Sequence, residues 1–372
     1  MLTKRFNLLF DRLLRKTWTE EQINKYIGVF KRCYFTYATD TSLRERSASG
    51  GSVTAMLAYM LQNKMIGGAV VVRSVVQEGN KVRPEFFIAQ TVEELKSAQG
   101  SKYSAVYFSS QAIPLIKDFG RPVAVVALPC DTRILRQAMR HDLALQQNVK
   151  LIITLFCGHN SEPELTDHVV KKLQPDDHPL VEYLYRIGHW RGQLQATYEG
   201  NQVVTKPFTY FSNYQNLFFF AQRKCHHCYD HTGYYGDISA GDIWSLRMKN
   251  EPIKHTAIIT RSAVGDQLVA EMFEKGILTG QEASISEVCD GQARILPAHY
   301  NISARSKLNW LTKERIKDPV KEKVRLHDYI VAALNLFNER LSRTTRGRKI
   351  IFATPKPLIR LYLVFIKFLE SF

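Results

Sequence analysis

Residues 121–157 read RPVAVVALPCDTRILRQAMRHDLALQQNVKLIITLFC. Arg121 to Leu128 is an apolar, β-branched run closed by Pro129-Cys130, the pattern of a buried strand. Thr132 to Leu145 reads as helix, and Val149 to Phe156 is a second apolar run that ends on Cys157. Strand, helix and strand in this order predict two neighbouring parallel strands. Cys130 and Cys157 then fall at the carboxyl ends of those strands, the edge where open α/β sheets place ligands.

The chain on either side extends the same pattern. Gly67 to Val76 is a β-branched run with Phe86 to Gln90 as its partner strand. Ser47-Ala-Ser-Gly-Gly-Ser52 leads into a helix over Val53 to Gln62. Thr91 to Gln99 is a short helix, with Thr91 as N-cap and Glu94 completing a capping box. Downstream come a helix over Glu162 to Leu173, alternating residues over 180–215 with a hairpin around Gly200-Asn201, and a strand with a Gly-Asp turn over Gly236 to Trp244. Thr256 to Thr260 is a strand and Ala263 to Lys275 a helix. The expected fold is mixed α/β: a central mixed sheet flanked by helices, with basic helical extensions at both ends. Its expected divisions are 1–40, 41–118, 119–300 and 301–372.

With 372 residues, 45% of them hydrophobic, the chain has ample material for a buried core. Its six cysteines are too sparse for a disulfide framework, and no signal peptide is read at the start. A reducing cytoplasm is the expected compartment. The net charge of +16 sits at the ends. Residues 1–35 hold eight basic and three acidic side chains, residues 301–372 sixteen and six, and the middle is nearly neutral. A nucleic-acid binder would carry its charge on the core. Basic ends suit an acidic partner or an anionic membrane. Leu2, Phe6, Leu9 and Leu13 give the first 35 residues helical spacing. Val320 to Leu341 reads as an amphipathic helix, Thr344 to Lys349 as a basic link. Pro357 to Phe372 is apolar but interrupted by Arg360 and Lys367, and shorter than the ~20 residues of a membrane span. The expectation is a helix lying in the membrane interface.

Two further cysteines stand in Cys225-His-His-Cys228-Tyr-Asp230. One close pair and two single cysteines at strand ends suit an iron–sulfur cluster better than the two local knuckles of most zinc sites. Zinc completed by His159, His226 or His227 stays open. Cys33 and Cys289 have no such context and read as ordinary thiols. The Ser49-Gly50-Gly51-Ser52 helix entry is a phosphate-binding candidate, because glycine lets backbone N–H groups approach an anion. Ser101-Lys102-Tyr103 is a second polar loop, able to hold a phosphate and stack on a ring. No dinucleotide fingerprint or Walker lysine motif is present. His189 and the His226-His227 pair read as packing residues before acid–base groups.

In order, Ser49-Gly50-Gly51, Gly100-Ser101-Lys102-Tyr103, Leu128-Pro129-Cys130, Leu155-Phe156-Cys157 and Cys225-His-His-Cys228-Tyr-Asp230 with Asp237-Ile-Ser-Ala-Gly-Asp242 resemble the beta-subunit family of coenzyme F-420 hydrogenases and dehydrogenases. The match spans about 45 to 295. The resemblance implies FAD beside a 4Fe-4S cluster. Cys130, Cys157, Cys225 and Cys228 would be the cluster ligands. Ser49, Gly50, Gly51, Ser52, Ser101, Lys102, Tyr103 and Asp242 would bind the flavin. Relatives carry a cysteine-rich ferredoxin-like segment before the Ser-Gly-Gly loop, whereas residues 1–45 here hold only Cys33. Electrons would then come from a separate ferredoxin or reductase. His231 replaces the usual Phe and Gly236 the usual Ala.

The sequence thus predicts an iron–sulfur flavoprotein oxidoreductase, peripheral at the cytoplasmic membrane face through 345–372. Its substrate would be small or lipid-linked, in surface-polysaccharide synthesis. The rival reading is a zinc-binding or metal-free scaffold partner of glycan enzymes. A nucleic-acid partner is not expected.

Overall fold

The structure is a computed structural model that describes residues 17–174, 178–312 and 315–371. The helix read from Leu2 to Leu13 lies outside the described residues. Glu20–Ile27 is a helix, closed at its start by a Thr19–Gln22 capping box. The next segment departs from the helical expectation for residues 1–35. Arg32–Ala38 is strand β1, because the aromatic and β-branched run Cys33-Tyr-Phe-Thr-Tyr37 favours a pleated, two-sided burial.

The remaining strands are β2 (Gly68–Gln77), β3 (Lys81–Ala89), β4 (Val123–Ala127), β5 (Val149–Leu155), β6 (Leu180–Ile187), β7 (Gln193–Tyr198), β8 (Gln202–Pro207), β9 (Ile238–Asp242), β10 (Thr256–Thr260) and β11 (Leu278–Glu282). Eight form one mixed sheet in the order β11-β1-β10-β9-β5-β4-β2-β3. β2, β4, β5 and β9 run parallel, and for β4 and β5 the strand–helix–strand reading requires it. β3, β10, β1 and β11 complete the sheet antiparallel. β11 had no apolar signal, since four of its five residues are exposed. β6, β7 and β8 form a second, antiparallel sheet with its hairpin at Glu199–Asn201.

Both faces of the parallel strands are covered, which explains their continuous apolar runs. Helices Ser52–Gln62 and Ala263–Glu274 pack on one face around Met56 and Leu268. Helices Phe108–Phe119 and Pro129–Met139 pack on the other around Ile116 and Leu135. The helix expected over 132–145 is two: Pro129–Met139, then Leu143–Asn148. The carboxylate of Asp142 restarts the second by accepting from Leu145 N.

The tail is more integrated than its composition suggests. The long helix begins at Leu326, and 344–349 is no link: Thr344 caps helix Thr345–Ala353. Helix Lys356–Leu369 buries Ile359, Leu363 and Ile366 in the second core, beside Leu165, Tyr183 and Phe211. Asn338 Nδ2 donates to Leu217 O (2.8 Å), and Ser342 Oγ accepts from Phe220 N (2.9 Å). Among the described residues no helix is long and apolar enough to cross a membrane.

Candidate functional site

β4, β5 and β9 end at one edge of the sheet; Cys130 and Cys157 follow the first two within three residues, and Asp242 closes the third. Cys130 sits in the first turn of helix Pro129–Met139, where the helix dipole favours a thiolate. Cys157 follows β5, its N–H donating to His231 O (2.9 Å). Cys225 and Cys228 occupy a 3-10 turn closed by Cys228 N to Cys225 O (3.3 Å). That turn is tied to the loop after Cys157, because Cys225 Sγ accepts from Asn160 N (3.4 Å).

All four thiols are free. Burial pushes Cys130, Cys225 and Cys228 up to about 12 and Cys157 well above the usual thiol value. The other three thiols add to the shift of Cys157, so the fold brings all four within electrostatic reach. Cys33 and Cys289 lie apart, buried in another core cluster.

Two cations offset this concentration of sulfur. Lys224 Nζ stands 3.5 Å from Asp131 Oδ1, and Asp131, Cys130, Cys225 and Cys157 hold its pKa up despite burial. Arg305 is buried and donates only to carbonyls: His226 O (3.0 Å), Cys228 O (2.8 Å), His299 O (2.9 Å) and Ala298 O (3.2 Å). It braces the Cys225–Cys228 turn from the tail, and sequence reasoning missed it. Among the described residues no three His, Cys, Asp or Glu side chains converge as ligands of one metal ion. His226 is buried, with neither ring nitrogen partnered, and burial followed by Arg305 lowers its pKa to about 3. His189 faces Lys249 O (2.9 Å).

Beside Cys157 lies a cavity of about 1120 Å³. Both loops singled out in the sequence line it, through Ser49, Gly51, Ser52, Ser101, Lys102 and Tyr103, and so does Asp242. Gly50 sits behind the wall: a Cβ there would lie 2.6 Å from Thr36 O. Gly51 takes φ +77° at the N-cap, a conformation that favours glycine. The serine hydroxyls point into the protein, Ser49 to His255 O (2.7 Å) and Ser52 to Thr36 Oγ1 (2.9 Å). What faces the cavity is therefore the amino end of helix Ser52–Gln62, which has no side-chain cap.

Lys102 Nζ donates to the carbonyls of Ala98, Gln99 (2.8 Å) and Gly100 (3.0 Å), while burial and then Arg46 lower its pKa to about 7. Tyr103 packs on Phe208, with ring centroids 5.2 Å apart. Asp242 is held by Arg186 in a two-pronged ion pair, Nη1 to Oδ2 at 2.7 Å and Nη2 to Oδ1 at 2.6 Å. Arg186 is 1% exposed and also donates to Ala48 O, so it joins the second sheet to β9 and to the Ser-Gly-Gly loop. Nothing in the alternating stretch 180–215 signalled it.

The Asp-Ile-Ser-Ala-Gly-Asp motif now has a physical reason at each polar position. Asp237 accepts from Ile152 N (2.8 Å) and Arg136 (3.0 Å). Ser239 Oγ donates to Gly233 O (3.2 Å) and accepts from Arg261 Nε (2.7 Å). Gly241 leaves room for Phe156, whose ring would be 2.1 Å from an added Cβ. His231 fills its site by facing Cys157 O (3.2 Å) and Gln292 Oε1 (3.2 Å).

Two family models for the coenzyme F420 hydrogenase/dehydrogenase beta chain match this sequence, the N-terminal one over residues 33–112 and the C-terminal one over residues 120–285. The coenzyme F420 hydrogenase subunit beta of Methanothermobacter thermautotrophicus is 27% identical over 274 residues, 71% of this chain and 88% of that one. The coenzyme F420-dependent sulfite reductase of Methanocaldococcus jannaschii is 27% identical over 237 residues, 59% of this chain and 34% of that one. In fold, a chain of the F420-reducing [NiFe] hydrogenase complex from Methanosarcina barkeri superposes with a TM-score of 0.58 at 20% identity, over 79% of this chain and 98% of that chain. The chain belongs to the beta-subunit family of coenzyme F420 hydrogenases and dehydrogenases.

Proposed function

We propose that this chain is an iron–sulfur flavoprotein oxidoreductase. Cys130, Cys157, Cys225 and Cys228 hold a 4Fe-4S cluster, and the cavity beside them holds FAD. The observation that carries the reading is the double position of Cys157, one of the four gathered thiols and also part of the cavity wall. When bound, the pair of groups supplies hydride exchange with an organic substrate and single-electron exchange with a protein partner.

The chain's own residues do the rest. The uncapped amino end of helix Ser52–Gln62 and the Lys102 ammonium favour phosphate at their end of the cavity. Tyr103 and Phe156 give it apolar walls. Asp242, fixed by Arg186, presents a rigid acceptor. Lys224 and Arg305 compensate the charge of four thiolates. In this reading 41–118 supplies the flavin loops, 119–300 the cysteines, and 1–40 and 301–372 flank them. A separate ferredoxin or reductase delivers electrons to the cysteine side.

The substrate is small or lipid-linked, such as an intermediate of surface-polysaccharide synthesis. Leu358, Leu361, Phe365 and Phe368 form an exposed apolar row on helix Lys356–Leu369, with Lys356 and Arg360 beside it. That combination suits the interface of an anionic membrane.

The deciding experiment is anaerobic purification followed by an absorption spectrum and assays of iron, sulfide and flavin on one sample. A flavin band with a broad shoulder that dithionite bleaches is the expected result. A colourless protein, still without iron or flavin after reconstitution, overturns the reading in favour of a scaffold.

A further inference from the structure

Part of the cavity wall comes from beyond residue 285, where the family match ends. Arg294 precedes helix Ile295–Tyr300, and Lys367 with Ser371 comes from the end of the last helix. Arg191, from the turn between β6 and β7, lines the same cavity. Arg294 pairs with Glu370. Among the described residues, the side chains of Arg191 and Lys367 make no hydrogen bond or ion pair with any protein group. Lys367 is half-buried, and burial, then Arg294 and Arg191, lower its pKa to about 8.

The cavity's carboxylates are engaged elsewhere. Asp242 serves Arg186, Asp131 serves Lys224, Glu287 caps a helix with Ser284, and Asp290 accepts from Trp18. Three cations thus line one cavity beside a single carboxylate not engaged elsewhere, Glu370, with Arg191 exposed and Arg294 and Lys367 half-buried. Like charges gathered this way repel one another, and an anion among them relieves that repulsion. Two guanidinium groups and one ammonium match a phosphate, which arginine can grip with two parallel bonds.

We propose that Arg191, Arg294 and Lys367 form an anion subsite that takes the phosphate or diphosphate group of the substrate. This names a substrate class for the redox site and rests on that reading for the term substrate. The binding itself is measured without turnover, so the two ideas fail separately. A free phosphate ester and a lipid-linked phosphate share the required chemistry.

The test is calorimetric titration of inorganic pyrophosphate into the protein as isolated, with flavin and iron assayed on the same samples. The wild type is expected to bind one pyrophosphate per chain. Arg191→Met and Lys367→Met should each weaken binding by about tenfold, Lys367→Arg should retain it, and flavin and iron should not change. Equal binding by wild type and variants, or none by the wild type, overturns the proposal. So does loss of flavin in the Met variants, which would make the cations part of the flavin site. Glucose 1-phosphate and phosphatidylcholine vesicles carrying phosphatidic acid are then tried as competitors. Displacement by the first assigns a soluble phosphate ester, by the vesicles alone a lipid phosphate. Displacement by neither overturns the assignment.

Discussion

Around the Ser-Gly-Gly loop, the cavity wall is locked from behind. Ser49 and Ser52 bond inward, Lys254 Nζ reaches Ser47 O and Ala48 O (3.0 Å each), and Arg186 holds Asp242. Around the last helix, Lys367 and Arg191 reach the same cavity with no such fastening. The first wall is pre-organised, so a ligand meets groups that need not move. The second carries charge that only a ligand completes. One cavity therefore combines a rigid floor from the family-matched region with a cationic wall to which residues beyond that match contribute Arg294 and Lys367.

The largest effect expected on the rigid wall is loss of the metal. Cys130→Ser or Cys225→Ser should remove essentially all bound iron and lower Tm, because cluster binding and folding are coupled. Unchanged iron in either variant would remove that residue from the ligand set. Next is the buried ion pair. Arg186→Ala should cost about 3–5 kcal/mol in denaturant unfolding, since it strands the Asp242 carboxylate. Arg186→Met with Asp242→Leu should cost far less than the two single changes added; simple additivity would show that the pair does not couple the sheets.

The tail offers an internal contrast. Leu363→Ala, on the packed face, should cost about 2–5 kcal/mol, whereas Leu361→Ala, two positions away and exposed, should stay within about 0.5 kcal/mol. Leu361→Glu with Phe365→Glu should abolish sedimentation with anionic vesicles at unchanged Tm; vesicle binding that persists refutes the interfacial role. A smaller effect, about 1–3 kcal/mol, is expected for Gly241→Ala, which drives Phe156 from its position at the cavity wall.

The smallest effect is on pH. Lys102 loses its proton near pH 7 in the free protein, and a phosphate beside it raises that value. Flavin binding then takes up a proton. FAD affinity should be greatest below pH 7 and fall as pH rises above it, and Lys102→Met should flatten the profile. An unchanged slope in the variant would clear Lys102 of phosphate contact.

The elements most legible in the sequence are those with a local cause. Thr256 to Thr260 is a strand in both readings, and the Thr91–Glu94 capping box forms as expected. The parallel pairing of β4 and β5 follows from a strand–helix–strand order that has one common solution. Residues 32–38 mislead, because their basic neighbours mask a strand-forming run. β11 gives no signal because its side chains face water.

The sequence by itself determined the apolar strands β2, β4, β5 and β10, the parallel pairing of β4 with β5 and the spacing of the four cysteines, since apolar periodicity, caps and cysteine spacing act over a few residues. Only the tertiary structure decided that Arg186 meets Asp242 across 56 positions, that Arg305 braces the Cys225–Cys228 turn, and that Lys367 turns into the cavity. No local pattern encodes these three. Each cation's place is set by which distant carbonyl, carboxylate or empty space packing brings beside it, and an exposed arginine reads the same in sequence as a buried one.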